Sequence, residues 1–596
     1  MTSALSAKFH LPPQDLGAPT LFAPNRDAVA AWLAKLPKAN LGQSTRELFN
    51  AVTELNRVRM SPALRLQILD ALRPAIHQAS LNLRRHYLNQ PLQLPEQPQK
   101  VARLGHVLHE QLATGYVLAA MHTLALGKQS GFSQPAAAVA TATHRAIVEH
   151  SQNLLRDFQL YRNPHPGCWA TLHQLHRLAR EQGAARTAVA DAQCGDCTLE
   201  AAYLRALLLG ASNPNHLRQD HLAKLFQHAA NWADLVTYTS PAQALLVVDP
   251  DADDGPCYRE SVNPGDDWLG LDTRGLAHAL ASQYELSESL PLSEQQLPPE
   301  LLLDLAQTWS RSPSRGHVRK SVSEQIEIAL GMTAAHHFIS GEIDFHLLVN
   351  DQEFSKLALE DENVFLRPRQ TAADNHTPRD VWNSAYQPKL GAMNVSLEIL
   401  DSQVRDQYQR TSIEKERDKF QSQKVERINT SPGGLCITWP PHSSVQLRNG
   451  EVVGIREMGQ KNWSLGTVRW VQLTEAGPRL GIALLSPSAV PYGARVIAKT
   501  GAPGEYQRVL LLPEIKAINQ PTTLLAPRLP FRVGQKVALM RKGKETRIQL
   551  TRKIDSSAAY NLFEFRRLNT LKSEAEQSTS STKSQDSGFD SLWDSL

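Results

Sequence analysis

The stretch RINTSPGGLCITW, residues 427–439, joins a polar turn to the beginning of a strand. Asn429, Ser431 and Pro432 precede a Gly-Gly pair, and alternating apolar residues follow it, which is the pattern of a half-buried β-strand. Glycine in such a turn lets the backbone take a positive φ or approach another chain closely. The stretch therefore predicts a tight turn that leads into a strand, and the turn is a candidate for holding a ligand.

Short segments of similar character surround this turn. GLCITW, EVVGIR, LGTVRWVQL and RLGIALL are interrupted by Gly or Pro about every ten residues, a spacing typical of small barrels. A second group follows, consisting of ARVIAK, QRVLLL, QKVALMR, TRIQLTRKI and NLFEFRRL. We therefore expect a β-barrel over residues 424–500 and a second small β-unit over residues 501–570.

The chain before the barrel reads mainly as helix. In residues 1–240 apolar side chains recur at helical spacing between short polar turns, and Ser61-Pro62 has the pattern of an N-cap followed by proline. Residues 241–368 predict a mixed, mainly helical domain, with helices near 275–286, 299–310 and 320–339. Residues 369–423 predict a linker and a lead-in to the barrel. The predicted fold is multidomain: a mostly α-helical N-terminal region followed by an all-β barrel and a second small β-unit.

Composition narrows the class of protein. The chain has 596 residues, of which 41% are hydrophobic and 20% charged, and its net charge of +4 is too small to indicate a general binder of polyanions. It has no apolar run long enough to span a membrane and no leader-like start. Five cysteines do not make a disulfide framework in a chain of this length. We expect a cytoplasmic protein without membrane insertion.

The last segment, residues 571–596, is rich in serine and predicts a disordered tail with a short amphipathic end. Phe589, Leu592, Trp593 and Leu596 fall at positions i, i+3, i+4 and i+7, which places them on one face of a helix. Peptides of this kind bind in grooves of partner proteins. The four residues are therefore candidate partner-binding residues, and the alternative is that they pack on their own domain.

The Cys-x-x-Cys pair CGDC, Cys194 and Cys197, is a candidate for zinc or redox chemistry. Zinc would need two further ligands, for which His173 and His176 on the preceding helix are available. Redox pairs of this spacing lie at a strand-to-helix junction in a βαβ unit, whereas the surroundings here predict helices. We prefer a helix-connecting turn with two free thiols and expect no metal.

Other patterns resemble functional sites only in part. DPDADDGPCYRE, from Asp249 to Glu260, has alternating aspartates, but its glycine is displaced from the position that a calcium loop needs. His336 and His337 are adjacent on a predicted helix and point in different directions, which favours packing over a shared metal. RSPSRGHVRK, residues 311–320, holds four basic side chains that suit either a phosphate or, our preference, solvent. The sequence contains none of the common enzyme motifs, so we expect a binding protein.

Taken together, RINTSPGGLCITW, GTVRWVQ and RLGIALL resemble a PilZ domain, the bacterial receptor module for cyclic-di-GMP. Asn429, Ser431 and Gly434 match the family's Asp/Asn-x-Ser-x-x-Gly motif, and the two later strands match in type and spacing. The helical region also resembles that of large PilZ-bearing proteins linked to pili and surface attachment. The resemblance implies that the turn contacts cyclic-di-GMP.

The resemblance also implies two arginines, spaced Arg-x-x-x-Arg, on a segment before the barrel. An arginine fork can engage O6 and N7 of guanine or a phosphate. In the segment before the turn the nearest pair is Arg405 and Arg410, with four residues between them, and Arg427 stands alone beside the turn. The expected ligand-binding residues are thus Arg405, Arg410, Arg427, Asn429, Ser431 and Gly434.

The resemblance implies a cyclic-di-GMP receptor, without cofactor or catalytic activity, that couples the second messenger to surface attachment, type IV pilus function or motility through an unidentified protein partner. A structural adaptor with a ligand-free barrel is the alternative if Arg405 and Arg410 do not form the pair. A binder of single-stranded nucleic acid would need exposed aromatic residues along a basic groove. We expect Trp439, Trp463 and Trp470 to lie in the core, and hence no nucleic-acid ligand.

Overall fold

The computed structural model describes residues 9–287 except His10 and Lys38, then 296–313, 319–350, 420–440, 446–497, 504–515 and 520–568. The expected tail-binding residues Phe589, Leu592, Trp593 and Leu596, and almost all of the expected linker, lie outside these ranges. None of the helices in the described ranges is both long and apolar enough to cross a membrane.

The N-terminal region is built from helices, as predicted. In chain order they are α1 Arg26–Lys35, α2 Leu41–Leu55, α3 Pro62–Tyr87, α4 Glu96–Leu126, α5 Pro135–Gln159, α6 Cys168–Glu181, α7 Leu199–Gly210 and α8 Gln219–His228. Helix α4 packs against both α3 and α5. Leu69, Leu108 and Ile147, one from each of these three helices, are fully buried in the shared core.

The predicted start of α3 is confirmed at the level of its cap. The Ser61 hydroxyl accepts a hydrogen bond from the backbone N–H of Leu64 at 3.3 Å, and Pro62 occupies the first turn, where its missing N–H is not needed. This local signal lies in the sequence itself, so sequence analysis could locate it.

Small sheets and two helices follow the helical core. Strands β1 Ala188–Val189 and β2 Cys197–Thr198 form a hairpin between α6 and α7. A four-stranded sheet in the order β3-β6-β4-β5 consists of β3 Thr237–Thr239, β4 Leu246–Val248, β5 Cys257–Tyr258 and β6 Leu269–Asp272. Helices α9 Arg274–Ser287 and α10 Pro299–Ser310 lie where the sequence predicts helices.

The first barrel has six strands and is closed in the order β10-β11-β12-β9-β8-β7. The strands are β7 Lys320–Leu330, β8 Ser422–Ser431, β9 Gly434–Thr438, β10 Val452–Glu457, β11 Ser464–Thr474 and β12 Gly477–Ser486. Trp439 and Trp463 are buried, at 2% and 6% exposed, as predicted. The turn at Asn429–Gly434 joins β8 to β9.

The helix expected over residues 320–339 is wrong in its first half. Residues 320–330 form strand β7, and only Met332–Ile339 is helical, as α11. Ile326 and Ile328 alternate with polar residues and are buried, and they pair with Glu457 and Ile455 of β10. The period of two was hidden by the strong helical pattern of the residues that follow. The barrel expected over 424–500 thus lacked its first strand in the chain.

The second β-unit is also a closed six-stranded barrel, in the order β13-β14-β15-β18-β17-β16. Its strands are β13 Val490–Val496, β14 Gln507–Leu512, β15 Thr523–Pro527, β16 Lys536–Arg541, β17 Lys544–Ser556 and β18 Tyr560–Arg567. The short helix α12, Phe345–Val349, follows α11 in the chain. Val509, Leu524 and Ile548 are fully buried in the core of this barrel.

By their contacts the described residues divide into two compact units. One holds α1–α10, β1–β6 and, from the first barrel, the first half of β7, all of β9 and most of β8, β11 and β12. The other holds α11, α12, β10 and the second barrel. The Asn429–Gly434 turn and the helical region therefore belong to the same unit.

Candidate functional site

The turn before β9 is held by a side-chain hydrogen bond and by backbone pairing between β8 and β9. Ser431 and Gly434 face each other across the β8–β9 pair, and the Ser431 hydroxyl donates to the Gly434 carbonyl at 3.1 Å. A Cβ on Gly434 would lie 2.4 Å from the carbonyl oxygen of Ile482 on β12, closer than side-chain atoms approach. Glycine is therefore required at position 434 by the neighbouring strand.

A small cleft lies beside this turn, and we call it the β8–β9 cleft. It encloses about 170 Å³. Its walls come from β8, β9, β11, β12 and the residue before β7, namely Arg319, Asn429, Ser431, Gly433, Gly434, Leu435, Cys436, Arg469, Trp470, Gly481, Ile482 and Ala483. The structure thus brings together Asn429, Ser431 and Gly434, three of the residues singled out in the sequence.

Two arginines give the β8–β9 cleft a positive charge. Arg319 and Arg469 are both exposed, and neither lies within 4.0 Å of a carboxylate in the described ranges. Burial raises the pKa of the Cys436 thiol in the cleft wall, whereas the charges of Arg479 and Arg319 act in the opposite direction. An anion entering the cleft would therefore meet two guanidinium groups that no carboxylate of the described ranges neutralises.

Trp470 forms part of the wall of the β8–β9 cleft, whereas the sequence predicts that it lies in the core. Its side chain is half-buried, unlike Trp439 and Trp463. A Cβ on Gly481 would lie 1.9 Å from the indole Nε1, so the ring rests directly on the glycine backbone. An aromatic face beside two arginines is suited to a planar base that carries phosphate.

Of the other residues expected at the site, only Arg427 is among the described residues. The Arg427 guanidinium pairs with the Glu324 carboxylate of β7, and Arg427 is not among the residues that line the β8–β9 cleft. Arg405 and Arg410 lie outside the described residues. The structure therefore supplies a different arginine, Arg319, next to the turn.

Arg319 was overlooked because the barrel was expected to begin at residue 424. The basic segment RSPSRGHVRK directly precedes β7, the strand with which the barrel begins in the chain. Arg311, Arg315 and Arg319 follow one another with three residues between each pair, which is the spacing that the PilZ resemblance implies. That spacing was the signal available in the sequence, and it required knowing that β7 is a strand.

The Cys194–Cys197 pair lies on the β1–β2 hairpin, where the sequence predicts a plain turn between helices, and neither cysteine forms a disulfide among the described residues. The sulfur of Cys197 lies 3.3 Å from His144 Nε2. His173 instead bonds the Tyr203 hydroxyl and the Asp254 carbonyl, so it does not face the cysteines. The cysteine pair therefore belongs to the packing of the hairpin against the helices.

The acidic loop after β4 caps a helix. The Asp253 carboxylate accepts hydrogen bonds from the backbone N–H groups of Gly167 and Ala170, at the beginning of α6. A carboxylate at a helix N-terminus satisfies free N–H groups and complements the helix dipole. Asp251 pairs with Arg177 of the same helix at 2.7 Å. These contacts explain the aspartates without calcium.

Two groups of side chains in the described ranges bring three metal-ligating atoms within 4.8 Å of one another. One consists of His77, His109 and Glu149, and the other of His106, Asp157 and His165. The Glu149 carboxylate already accepts a hydrogen bond from Arg73 at 2.6 Å. A guanidinium in that position opposes the binding of a further cation, so we assign the first group to a hydrogen-bond network.

Comparison with known proteins identifies three matching segments. Residues 27–243, 245–491 and 492–568 match the family models for the N-terminal domain, the middle PilZ domain and the C-terminal beta-barrel domain of the cyclic-di-GMP receptor FimW. The chain is 31% identical over 595 residues to the cyclic-di-GMP receptor FimW of Pseudomonas aeruginosa, with 95% of each chain covered. No solved structure matches.

Proposed function

Because this chain belongs to the family of the cyclic-di-GMP receptor FimW, we propose that it is a cyclic-di-GMP receptor that binds its ligand in the β8–β9 cleft. The observation that carries the proposal is the position of Arg319 and Arg469 beside the turn formed by Asn429, Ser431 and Gly434. The ligand has two phosphates and two guanines, and the cleft offers cations, amide and hydroxyl groups, and an indole face.

The chemistry of these groups supports a division of labour. An arginine fork binds phosphate bidentately or engages O6 and N7 of guanine. The side chains of Asn429 and Ser431 offer a donor and acceptors to the remaining base edges. Trp470 provides a surface on which a base can stack. Gly434 lets β9 pack closely against β12, which fixes the turn that carries Asn429 and Ser431 beside the cleft.

We assign the arginine pair of the PilZ motif to the Arg311–Arg319 segment. Arg319 lines the cleft, and the three-residue spacing continues to Arg315 and Arg311, of which Arg315 lies outside the described residues. The pair Arg405 and Arg410 remains the competing assignment. Both segments carry the required residue type, so direct substitution has to distinguish them.

The wider role rests on the family resemblance. We propose that ligand binding fixes the Arg319 side chain on the ligand and thereby changes how the helical region contacts a partner protein in the bacterial cytoplasm. The output would be surface attachment, type IV pilus function or motility, without catalysis. The tail residues Phe589, Leu592, Trp593 and Leu596 are candidates for the partner contact.

The test is calorimetric titration of the purified full chain with cyclic-di-GMP. We expect saturable binding that weakens about tenfold or more in Arg319→Ala and in Ser431→Ala, because each removes hydrogen bonds to a charged ligand. Arg405→Ala combined with Arg410→Ala should leave the affinity unchanged. Lys461→Ala, an exposed charge elsewhere on the barrel, is the matched control.

Each result has a distinct meaning. Loss of binding only in the Arg405/Arg410 variant would place the arginine pair there and overturn our assignment of Arg319. Absence of saturable binding in the unmodified chain would overturn the receptor proposal and favour the structural adaptor. Binding of single-stranded nucleic acid with a steep salt dependence, in place of cyclic-di-GMP, would favour the nucleic-acid alternative.

A further inference from the structure

The helical region contains a partly open cavity that is separate from the β8–β9 cleft. We call it the helical cavity. It measures about 560 Å³, and its walls come from α3, α4, α5, α7, α8, the β1–β2 hairpin and the segment after α8. The residues that line it include His77, Arg84, Gln152, Arg205, Phe226 and Asn231. Cavities of this size hold small molecules.

The carboxylates buried next to the helical cavity are already neutralised. Glu149 accepts hydrogen bonds from Arg73 at 2.6 Å and from His109 at 2.6 Å. Asp191 forms a two-pronged contact with the same Arg73 guanidinium, at 2.6 and 2.9 Å, and lies 3.2 Å from Arg145. Both carboxylates are therefore already paired with cations other than Arg84 and Arg205.

Two arginines in the cavity wall lack such partners. Within the described ranges no carboxylate lies within 4.0 Å of Arg84 or Arg205, whose bonds go to the Gln152 side-chain oxygen at 2.8 Å and the Cys194 carbonyl at 3.0 Å. Arg205 is only 3% exposed, and its Nε has no hydrogen-bond partner among the described residues. Both guanidinium groups are thus held at the cavity by neutral acceptors.

A third arginine adds to the positive charge nearby. Arg156 is 2% exposed and donates to Ser80, Asn153 and the Tyr87 hydroxyl, again without a carboxylate within 4.0 Å in the described part of the chain. Burial lowers the pKa of Arg84, and the charge of Arg156 acts in the same direction. A buried cation is costly unless it is paired, so this arrangement favours an anion.

We propose that the helical cavity binds a phosphate-bearing small molecule through Arg84 and Arg205. Guanidinium forks match phosphate oxygens in geometry and charge, and two of them suit a group with more than one negative charge. Phe226, over whose ring the Arg205 guanidinium lies at 5.2 Å, supplies an apolar wall for the rest of the ligand. Gln152 and Asn231 add polar contacts.

The one carboxylate in the cavity wall does not remove the charge argument. Asp196 is exposed at the β1–β2 hairpin, and its Oδ1 accepts the backbone N–H of Asp191 at 2.7 Å. It lies beyond 4.0 Å from both arginines, since neither forms an ion pair among the described residues. His77 and His109 both contact the Glu149 carboxylate, and an imidazole carries no negative charge that could compete with a ligand.

The test uses the full chain carrying Arg319→Ala and Ser431→Ala, so that binding in the β8–β9 cleft does not contribute. Pyrophosphate, guanosine monophosphate and guanosine are titrated separately by calorimetry. We expect saturable binding of at least one of the two phosphate compounds and none of guanosine. Binding of guanosine monophosphate alone would identify a nucleotide, and binding of both would identify the phosphate group itself as the determinant. Failure with both phosphate compounds would overturn the proposal.

Substitutions of the arginines provide a second test of the proposal. Arg84→Gln should raise Kd about tenfold or more, because it removes a charged hydrogen bond to phosphate. Arg85→Gln is the matched control, since Arg85 is the next residue, is exposed and undergoes the same change of charge. Arg205→Lys tests the buried position while keeping its charge and should also weaken binding. Equal effects of Arg84→Gln and Arg85→Gln would overturn the proposal, as would no effect of Arg84→Gln.

Discussion

The backbone N–H of Leu473 donates to the carbonyl oxygen of Tyr161, 2.7 Å away. Leu473 lies on β11, the strand that carries Arg469 and Trp470 of the β8–β9 cleft, and Tyr161 follows the end of α5. Tyr161 is 4% exposed, and its hydroxyl donates to the Leu217 carbonyl at 3.2 Å. The strand that lines the candidate ligand site is therefore bonded directly to the helical region.

The hydrogen bond between Leu473 and Tyr161 predicts that ligand binding also affects β11 where it contacts the helical region. Cyclic-di-GMP in the β8–β9 cleft should restrain β11, and the Leu473 amide can exchange its hydrogen only when its bond to Tyr161 opens. We expect ligand to slow hydrogen exchange in the peptide that contains Leu473, as measured by mass spectrometry. Protection limited to the Asn429–Gly434 turn would contradict this coupling, and Ser431→Ala, which we expect to weaken binding, serves as the control.

A second contact between the barrel and the helices is carried by Asn449. Its side-chain N–H group donates to the carbonyls of Asn215 and Leu217 at 3.0 and 2.9 Å, and it is 3% exposed. Asn449→Ala would leave the Leu217 carbonyl without this donor, so we expect a loss of about 1–3 kcal/mol in the free energy of unfolding. Chemical denaturation of the full chain measures it.

The control for this prediction is Gln472→Ala. The Gln472 side chain donates to Asn163 at 3.4 Å in an exposed setting, so its loss should change the free energy of unfolding by less than about 0.5 kcal/mol. If both variants were equally stable, the Asn449 contact would not stabilise the barrel on the helices.

Acid should destabilise the helical region. Burial lowers the pKa of His109 and His176 from 6.5 to about 3, and both are at most 3% exposed. Below pH 6.5 the unfolded chain binds protons that the folded histidines do not, so the free energy of unfolding falls as pH drops from 6.5 towards 3. The slope is about 1.4 kcal/mol per pH unit for each such histidine.

Denaturation at a series of pH values checks this slope in the full chain. His176→Gln removes one of the titrating groups, so the slope should fall by about 1.4 kcal/mol per pH unit, which corresponds to one proton. An unchanged slope in that variant would show that His176 is protonated alike in both states. Arg180 and His173 also lower the pKa of His176, and both remain in the variant.

The sequence alone was sufficient for features encoded by neighbouring residues. The cap at Ser61, the two sets of short strands and the Asn429–Gly434 turn each depend on residue types a few positions apart. The role of Arg319 depends on β7, which ends at Leu330, whereas its neighbour β8 begins only at Ser422. Pairing across such a separation leaves no local signal. The exposed face of Trp470 likewise depends on Gly481 of the adjacent strand.

Gly434 should be intolerant of even a methyl group. The added Cβ would lie 2.4 Å from the carbonyl oxygen of Ile482, a backbone atom that cannot move without disturbing the β9–β12 pair. We expect Gly434→Ala to lower the free energy of unfolding by about 1–3 kcal/mol, which is typical of overpacking. Gly504→Ala is the control, because an added Cβ there meets no atom within 4 Å. Equal melting temperatures for the two variants would contradict the prediction.

Trp470 should contribute to ligand affinity more than to stability. Stacking of a base on an aromatic ring is worth about 1–3 kcal/mol, so Trp470→Ala should weaken cyclic-di-GMP binding by roughly 5- to 150-fold, while Trp470→Phe should retain most of it. Gly481→Ala should reproduce the loss with the tryptophan present, because its Cβ would occupy the space of the indole, 1.9 Å from Nε1. Trp463→Phe is the contrasting change: this ring is 6% exposed in the core, so stability should fall with affinity preserved. Calorimetric titration together with thermal denaturation separates the two effects, and unaltered affinity in both Trp470→Ala and Gly481→Ala would exclude stacking on the indole.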